Sequence, residues 1–415
     1  MPNDHSQDPP AQHPPPSLDS APKKIRLSTI DVFRGLTMGL MVLVNNPGSW
    51  EHIYPPLRHA QWHGCTPTDL VFPFFLFIIG TSMAFASPAA VRGGAFGMPV
   101  PTHPWMRLLR RTLLLLGLGL LLSGFPYFHL DTLRFPGILQ RIALCGLALG
   151  LIVHWVTPRR QIALAVAILL GYWGLLTIAA PEVIGDTRRA FETLGQGSLS
   201  NTANLPRWVD LQILGQAHTW IGSPTDPEGL LSTLPSIVTA LAGFWTGRFL
   251  RDRPDPSWRT AALLAGAGLA AIAAGWVWSF ALPLNKALWT SSYTVLSAGW
   301  ALLALAVCYA VADVLRWQRL VFPLVVLGMN AIFLFVGSGL VGRLLTLIKI
   351  PAALLPAPLA ERPSPTLKGW LYESLCVPLA QGSPINGSLL FALLTLAGWF
   401  ALLLAMHRRR WFLKV

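Results

Sequence analysis

The chain has 415 residues, of which 53% are hydrophobic and 12% charged, with a formal net charge of +13; an ordinary soluble domain carries about 25% charged residues. That balance excludes a water-soluble fold and makes one helical membrane domain the expectation. The excess of Lys and Arg does not indicate a nucleic-acid partner, because the basic residues sit in short clusters at the ends of apolar runs and not on one folded face.

Residues 1–22, MPNDHSQDPPAQHPPPSLDSAP, are Pro-rich and polar and cannot bury enough surface to fold. A disordered cytoplasmic tail is expected there, with a membrane domain over 23–415. Apolar runs long enough to cross roughly 30 Å of hydrocarbon follow at about 29–46, 67–87, 106–124, 137–156, 161–180, 229–249, 260–281, 289–312, 320–344 and 387–406. The predicted fold is an all-α polytopic bundle of about ten transmembrane helices. Basic flanks at Lys23, Lys24 and Arg26, at Arg107, Arg110 and Arg111, at Arg248 and Arg251, and at Arg408, Arg409 and Arg410 predict that both termini are cytoplasmic, in a multi-pass protein of the inner (plasma) membrane. Outer loops near 47–66, 181–228 and 345–386 are long enough to carry chemistry.

The densest polar cluster runs from Ser28 to Ser82, and polar groups in or at the mouth of a membrane domain are costly unless paired or used. Ser28 and Asp31 have capping-box spacing. Arg34, one turn on, either snorkels to the inner surface and pairs with Asp31 or holds an anionic ligand. Asn45 and Asn46, before Pro47 and Gly48, read as a helix stop or as amides that orient a ligand or hold an oxyanion. His59, in an outer loop, is either solvated or a base or nucleophile. His63 lacks the third ligand a metal site needs, and Cys65, Cys145, Cys308 and Cys376 show no metal spacing, so no metal is expected. Cys65 remains open as a thiol nucleophile or as the partner of Cys376 in an outer-face disulfide. Asp69, in the first turn of the second span, either stabilises that helix end or orients His59.

In order along the chain, IDVFRGL, VNN, HAQWHG and TDLVFPFFLFIIGTSM, then GILQRIAL, DPEGLLSTLPSIVTALAGFWTG and LGMNAIFLF, resemble the transmembrane N-acetyltransferase family of heparan-alpha-glucosaminide N-acetyltransferase and its bacterial homologues. The resemblance covers about residues 26 to 340. It implies an acyltransferase that takes acetyl from cytosolic acetyl-CoA, as co-substrate, and delivers it to the amine of a glucosamine-type sugar on the outer face. By the resemblance His59 is the catalytic histidine, with Asp69 and Asn45 beside it. Arg34, Asn46, Arg141 and Asn330 are assigned to the acetyl-CoA path, Arg141 also being a possible outer-mouth partner of Asp69. Trp62, Asp226 and Glu228 are assigned to the acceptor. The chain departs from the animal enzyme in lacking a large lumenal N-terminal domain and in having His63 where the family has Asn, which leaves the acceptor and a homodimeric assembly open. Two rival readings stand beside this one: a secondary transporter of sugars or amino sugars, and a scaffold subunit of cell-envelope assembly.

Overall fold

A computed structural model describes residues 27–86, 104–178, 199–253, 255–351 and 366–413. The tail expected at 1–22, the basic residues Lys23, Lys24 and Arg26, and parts of the second and third outer loops lie outside the described residues. Those described are all-helical, without a strand beyond an isolated bridge between Lys349 and Thr366.

The helices are α1 (Thr29–Asn45), α2 (Val71–Phe85), α3 (Pro104–Gly124), α4 (Ile138–Trp155), α5 (Pro158–Ile178), the short amphipathic α6 (Leu205–Ile213), α7 (Thr233–Arg251), α8 (Trp258–Trp278), α9 (Ser291–Tyr309), α10 (Gln318–Met329), α11 (Ala331–Leu347) and α12 (Pro384–Arg408). Each of the ten apolar runs carries a helix over most of its described residues. Among the described residues six helices are long and apolar enough to cross a membrane, and α10 with α11, bent by 69° at their junction, make a seventh. The other three runs are α1, with 17 residues, α3, with Arg107, Arg110 and Arg111 in its first half, and α7, which mixes Thr233, Ser236, Thr239 and Thr246 into its apolar sequence. Both α1 and α7 are buried along most of their length, so their polar groups are covered by protein and need not meet lipid.

The centre of the bundle is α2 against α7. Small residues let the two backbones touch, as in membrane helix pairs generally: a Cβ on Gly243 would stand 2.0 Å from the Phe77 carbonyl oxygen. Phe33 and Val32 of α1, Phe74 and Phe77 of α2 and Leu305 and Tyr309 of α9 form the largest buried cluster. The N-terminus of α1 is closed by a distant residue. Asp313, in the π-turn that follows α9, accepts from the Ser28 and Thr29 N–H groups at 3.0 and 3.1 Å, satisfying two of the donors a helix start leaves open.

Asn330 sits at the break between α10 and α11. Its Oδ1 accepts from the Leu413 N–H at 2.9 Å and its Nδ2 donates to the Trp411 carbonyl at 3.2 Å, so the C-terminal residues fold back onto the bend. Two residues earlier, Gly328 packs against the start of α1, where a Cβ would stand 2.3 Å from the Asp31 carbonyl oxygen.

Candidate active site

The loop between α1 and α2 contains two 3-10 turns, Pro55–Leu57 and Pro67–Leu70. Thr66 caps the second. Its N–H donates to Asp69 Oδ2 at 3.0 Å, its hydroxyl donates to the Arg58 carbonyl at 2.7 Å, and the Ala60 N–H reaches the same Oδ2 at 3.1 Å. Two backbone donors thus fix a carboxylate whose side chain is only 1% exposed. From α9, the Tyr293 hydroxyl donates to the Asp69 backbone carbonyl at 2.6 Å.

Asp69 Oδ1 is left to face His59, whose Nδ1 lies 2.7 Å away. An acid that accepts from Nδ1–H fixes the tautomer and leaves Nε2 with its lone pair, and the His59 side chain is 46% exposed. The expected pair is therefore assembled, with the carboxylate buried and the imidazole half-exposed. Lys286, from the connection between α8 and α9, completes it: Nζ is 3.6 Å from Asp69 Oδ1 and 3.1 Å from His59 Nδ1. Burial pulls the Lys286 ammonium below its ordinary range, while Asp69 and Glu228 hold it up. Lys286 is not among the residues singled out in the sequence. The available signal was its isolation, as the one charge in the mostly apolar stretch ALPLNKAL over 281–288.

The connection carrying Lys286 is tied to the His59 loop. The Gly64 N–H donates to the Leu284 carbonyl at 2.8 Å, and Asn285 braces the turn by accepting from the Leu288 N–H at 2.9 Å and donating its own N–H to Thr290 Oγ1 at 3.1 Å. Trp62 links the loop to the segment before α6, its Nε1–H donating to the Leu199 carbonyl at 2.8 Å. Burial, with the Asp69 charge, pushes the Cys65 thiol up to about 12, too high for a thiolate at neutral pH. The pairing of Cys65 with Cys376, one of the alternatives the sequence leaves open, is not made: both are free, Cys376 being packed with Tyr372 and Phe391.

The acids of the DPEG turn are held by Arg134, which precedes α4. Its Nε donates to Asp226 Oδ2 at 2.9 Å and its Nη2 to Glu228 Oε2 at 2.6 Å, while Trp220 N–H donates to Asp226 at 2.9 Å. Asp226 is thus fully engaged within the protein, and Glu228 keeps one oxygen beyond its Arg134 bond. Arg141 does not pair with Asp69. It is 1% exposed and donates to the Gly229 carbonyl at 2.9 Å and to Ser232 and Ser236, with its guanidinium 5.3 Å from the Trp289 ring. On the other side of Gly229 lies Asp210, unforeseen in the sequence. Its Oδ1 accepts from Leu230 N–H at 2.8 Å and its Oδ2 is buried without a partner. The fit requires glycine, since a Cβ on Gly229 would stand 2.0 Å from that Oδ2. Burial pushes Asp210 up to about 6.

At the opposite end of α1, Arg34 donates to Asp31 Oδ1 and to Ser82 Oγ, both at 3.1 Å, which ties α1 to α2. Asn46 donates to the Val42 carbonyl at 2.8 Å as the last turn of α1 ends, and the Asn45 side chain is exposed there. Among the described residues no three His, Cys, Asp or Glu side chains converge as metal ligands would.

Comparison with known proteins bears on this geometry. The chain is 28% identical over 360 residues to human heparan-alpha-glucosaminide N-acetyltransferase and 28% identical over 360 residues to the mouse protein of the same name, covering 75% of this chain in each case. It spans about half the length of these relatives, 52% of the human and 53% of the mouse protein. The sequence model described as "Heparan-alpha-glucosaminide N-acetyltransferase, catalytic" matches residues 26–274, more than half of the chain and including both His59 and Asp69. The chain therefore belongs to the family of heparan-alpha-glucosaminide N-acetyltransferase catalytic regions.

Proposed function

We propose that this protein is a transmembrane acyltransferase that moves acetyl from cytosolic acetyl-CoA to the amine of a glucosamine-type sugar on the outer face. The observation that carries the reading is the His59–Asp69 pair, with Nδ1 on a buried carboxylate at 2.7 Å and the ring half-exposed, in a chain of this family. In that role His59 Nε2 takes a proton from the acceptor amine or attacks the acetyl carbonyl, Asp69 orients the ring and offsets positive charge on it, and Asn45 donates to the developing oxyanion. Arg34 and Asn46, at the two ends of α1, are assigned to the donor. Trp62 and the remaining oxygen of Glu228 are assigned to the acceptor, whose amine is cationic before it reacts. Arg141 and Asn330 support the site by holding the 226–230 turn and the bend between α10 and α11.

The same reading has ten spans, both termini in the cytoplasm and the His59 loop outside, in the plasma membrane. It is supported by the helicity of all ten runs and by the distribution of Lys and Arg. The test is purified protein with labelled acetyl-CoA and glucosamine, scored for N-acetylglucosamine. The bent pair α10–α11 favours one competing reading, a sugar transporter with a discontinuous helix. Uptake of intact labelled sugar into vesicles without acetyl-CoA, and no acetylation with it, would establish the transporter instead.

A further inference from the structure

Lys286 is the member of this cluster to which the chemistry above gives no task. Nδ1 of His59 carries one hydrogen, and Asp69 Oδ1, at 2.7 Å, is its acceptor. The ammonium 3.1 Å from the same nitrogen therefore donates nothing to it. Two donors face one carboxylate oxygen. Its placement is fixed, because the turn from Leu284 to Thr290 is pinned by the Gly64 bond and by both ends of Asn285, and the Lys286 side chain is only 20% exposed. The Asp69 carboxylate attracts that cation, and the cation in turn opposes positive charge on the adjoining ring.

The use follows from what the ring must be. A histidine beside a lone buried carboxylate is drawn toward imidazolium, and an imidazolium neither accepts a proton nor attacks a carbonyl. Building on the reading of His59 as the acyl-transfer base or nucleophile, we propose that Lys286 is a positioning residue that serves as the standing counter-charge of Asp69, so that His59 stays neutral, with Nε2 available, at working pH. With Lys286 in place the carboxylate's charge is shared between the ammonium and the ring, so Asp69 still offsets positive charge that arises on His59 in turnover but does not fix it there at rest. The proposal applies equally to either route at His59.

The charged and titratable neighbours are few. Lys286 faces Asp69, Glu228 and Cys65; Glu228 is itself bonded to Arg134. Cys65 stays a neutral thiol. Tyr293, from α9, gives its hydroxyl to the Asp69 carbonyl. His63 lies beyond Asn285, 3.4 Å from its Nδ2, and burial holds it below the ordinary imidazole range. Arg58 is turned to the Glu51 carbonyl. Lys286 is thus the cation nearest Asp69 among the described residues.

Diethyl pyrocarbonate acylates neutral imidazole and needs no substrate, so its rate at His59, read by peptide mass spectrometry across pH, reports the ring's protonation in the full chain. Lys286→Met and Lys286→Gln are each expected to move the half-maximal point up by about one pH unit or more, making His59 about tenfold less reactive on the acidic side and restoring it on the alkaline side. Lys286→Arg keeps the wild-type profile. Unchanged profiles in whichever of the Met and Gln variants melts as a folded protein would overturn the proposal, as would an equal loss at every pH. Acetyl transfer to glucosamine is measured separately. If wild type acetylates no amino sugar while the carbethoxylation profiles still separate, Lys286 keeps its assignment and the functional reading falls. If wild type acetylates and the profiles coincide, the reverse holds.

Discussion

Replacing His59 by Ala separates catalysis from stability. The ring is half-exposed and makes one strong bond, Nδ1–H to Asp69 at 2.7 Å. Deleting it leaves the carboxylate with the Ala60 and Thr66 N–H groups and with Lys286, so no buried charge is orphaned. The stability cost is the net value of one charge-assisted hydrogen bond, about 1.5–3 kcal/mol, reduced by water entering beside Asp69. A general base or nucleophile contributes about 10² to 10⁴ in rate, so acetyl transfer should fall to background in a protein that still inserts and melts cooperatively. The assay pairs labelled acetyl-CoA turnover with thermal unfolding of the detergent-solubilised chain. A folded His59→Ala protein retaining more than about a tenth of wild-type turnover would refute a mechanism through His59.

Asp69→Asn can turn an amide N–H toward Nδ1, favouring the proton on Nε2. Turnover should fall partially with an altered pH profile, and a profile identical to wild type would count against Asp69 as the orienting group. Arg134→Met strands the buried acids Asp226 and Glu228 and should destabilise the protein by about 3–5 kcal/mol, a change read directly in thermal melts; an unchanged melt would show that the DPEG turn is held by its backbone bonds alone. Asp210 has a folded-state value of about 6 above the ordinary carboxylate value, so its contribution is fully present below about pH 4 and is lost as pH rises to about 6, a swing of about 2–3 kcal/mol. Asp210→Asn should flatten that part of the stability profile, and an equally sloped profile in the variant would assign the slope elsewhere.

What was legible in the sequence was whatever lies close along the chain or repeats at helical length. The ten apolar runs announced themselves because a span must be long and apolar, and His59 and Asp69 could be paired because ten residues separate them. Lys286 could not be placed beside them, since it is brought there by a turn 227 residues away. Asp226 and Glu228 looked like free outer acids for the same reason: their partner Arg134 lies 92 and 94 residues earlier. Cys65 and Cys376 share a predicted side of the membrane, which is weaker information than distance. Arg141 was foreseen near the outer mouth, but its bonding to the Gly229 turn depends on how α4 meets α7.

The closure of α1 by Asp313 has a bearing on biosynthesis. During synthesis α1 is made with the Ser28 and Thr29 N–H groups still unmet by protein, and their acceptor is translated 284 residues after Thr29. Lys286 likewise follows His59 by 227 residues. The amino-terminal half thus emerges with its histidine and aspartate close in sequence but with neither the anchor of the preceding helix α1 nor the neighbouring ammonium yet made. A nascent or prematurely terminated chain ending before α9 would expose an unfinished pair, and the assembled centre comes into being only when α9 and its π-turn have joined the bundle.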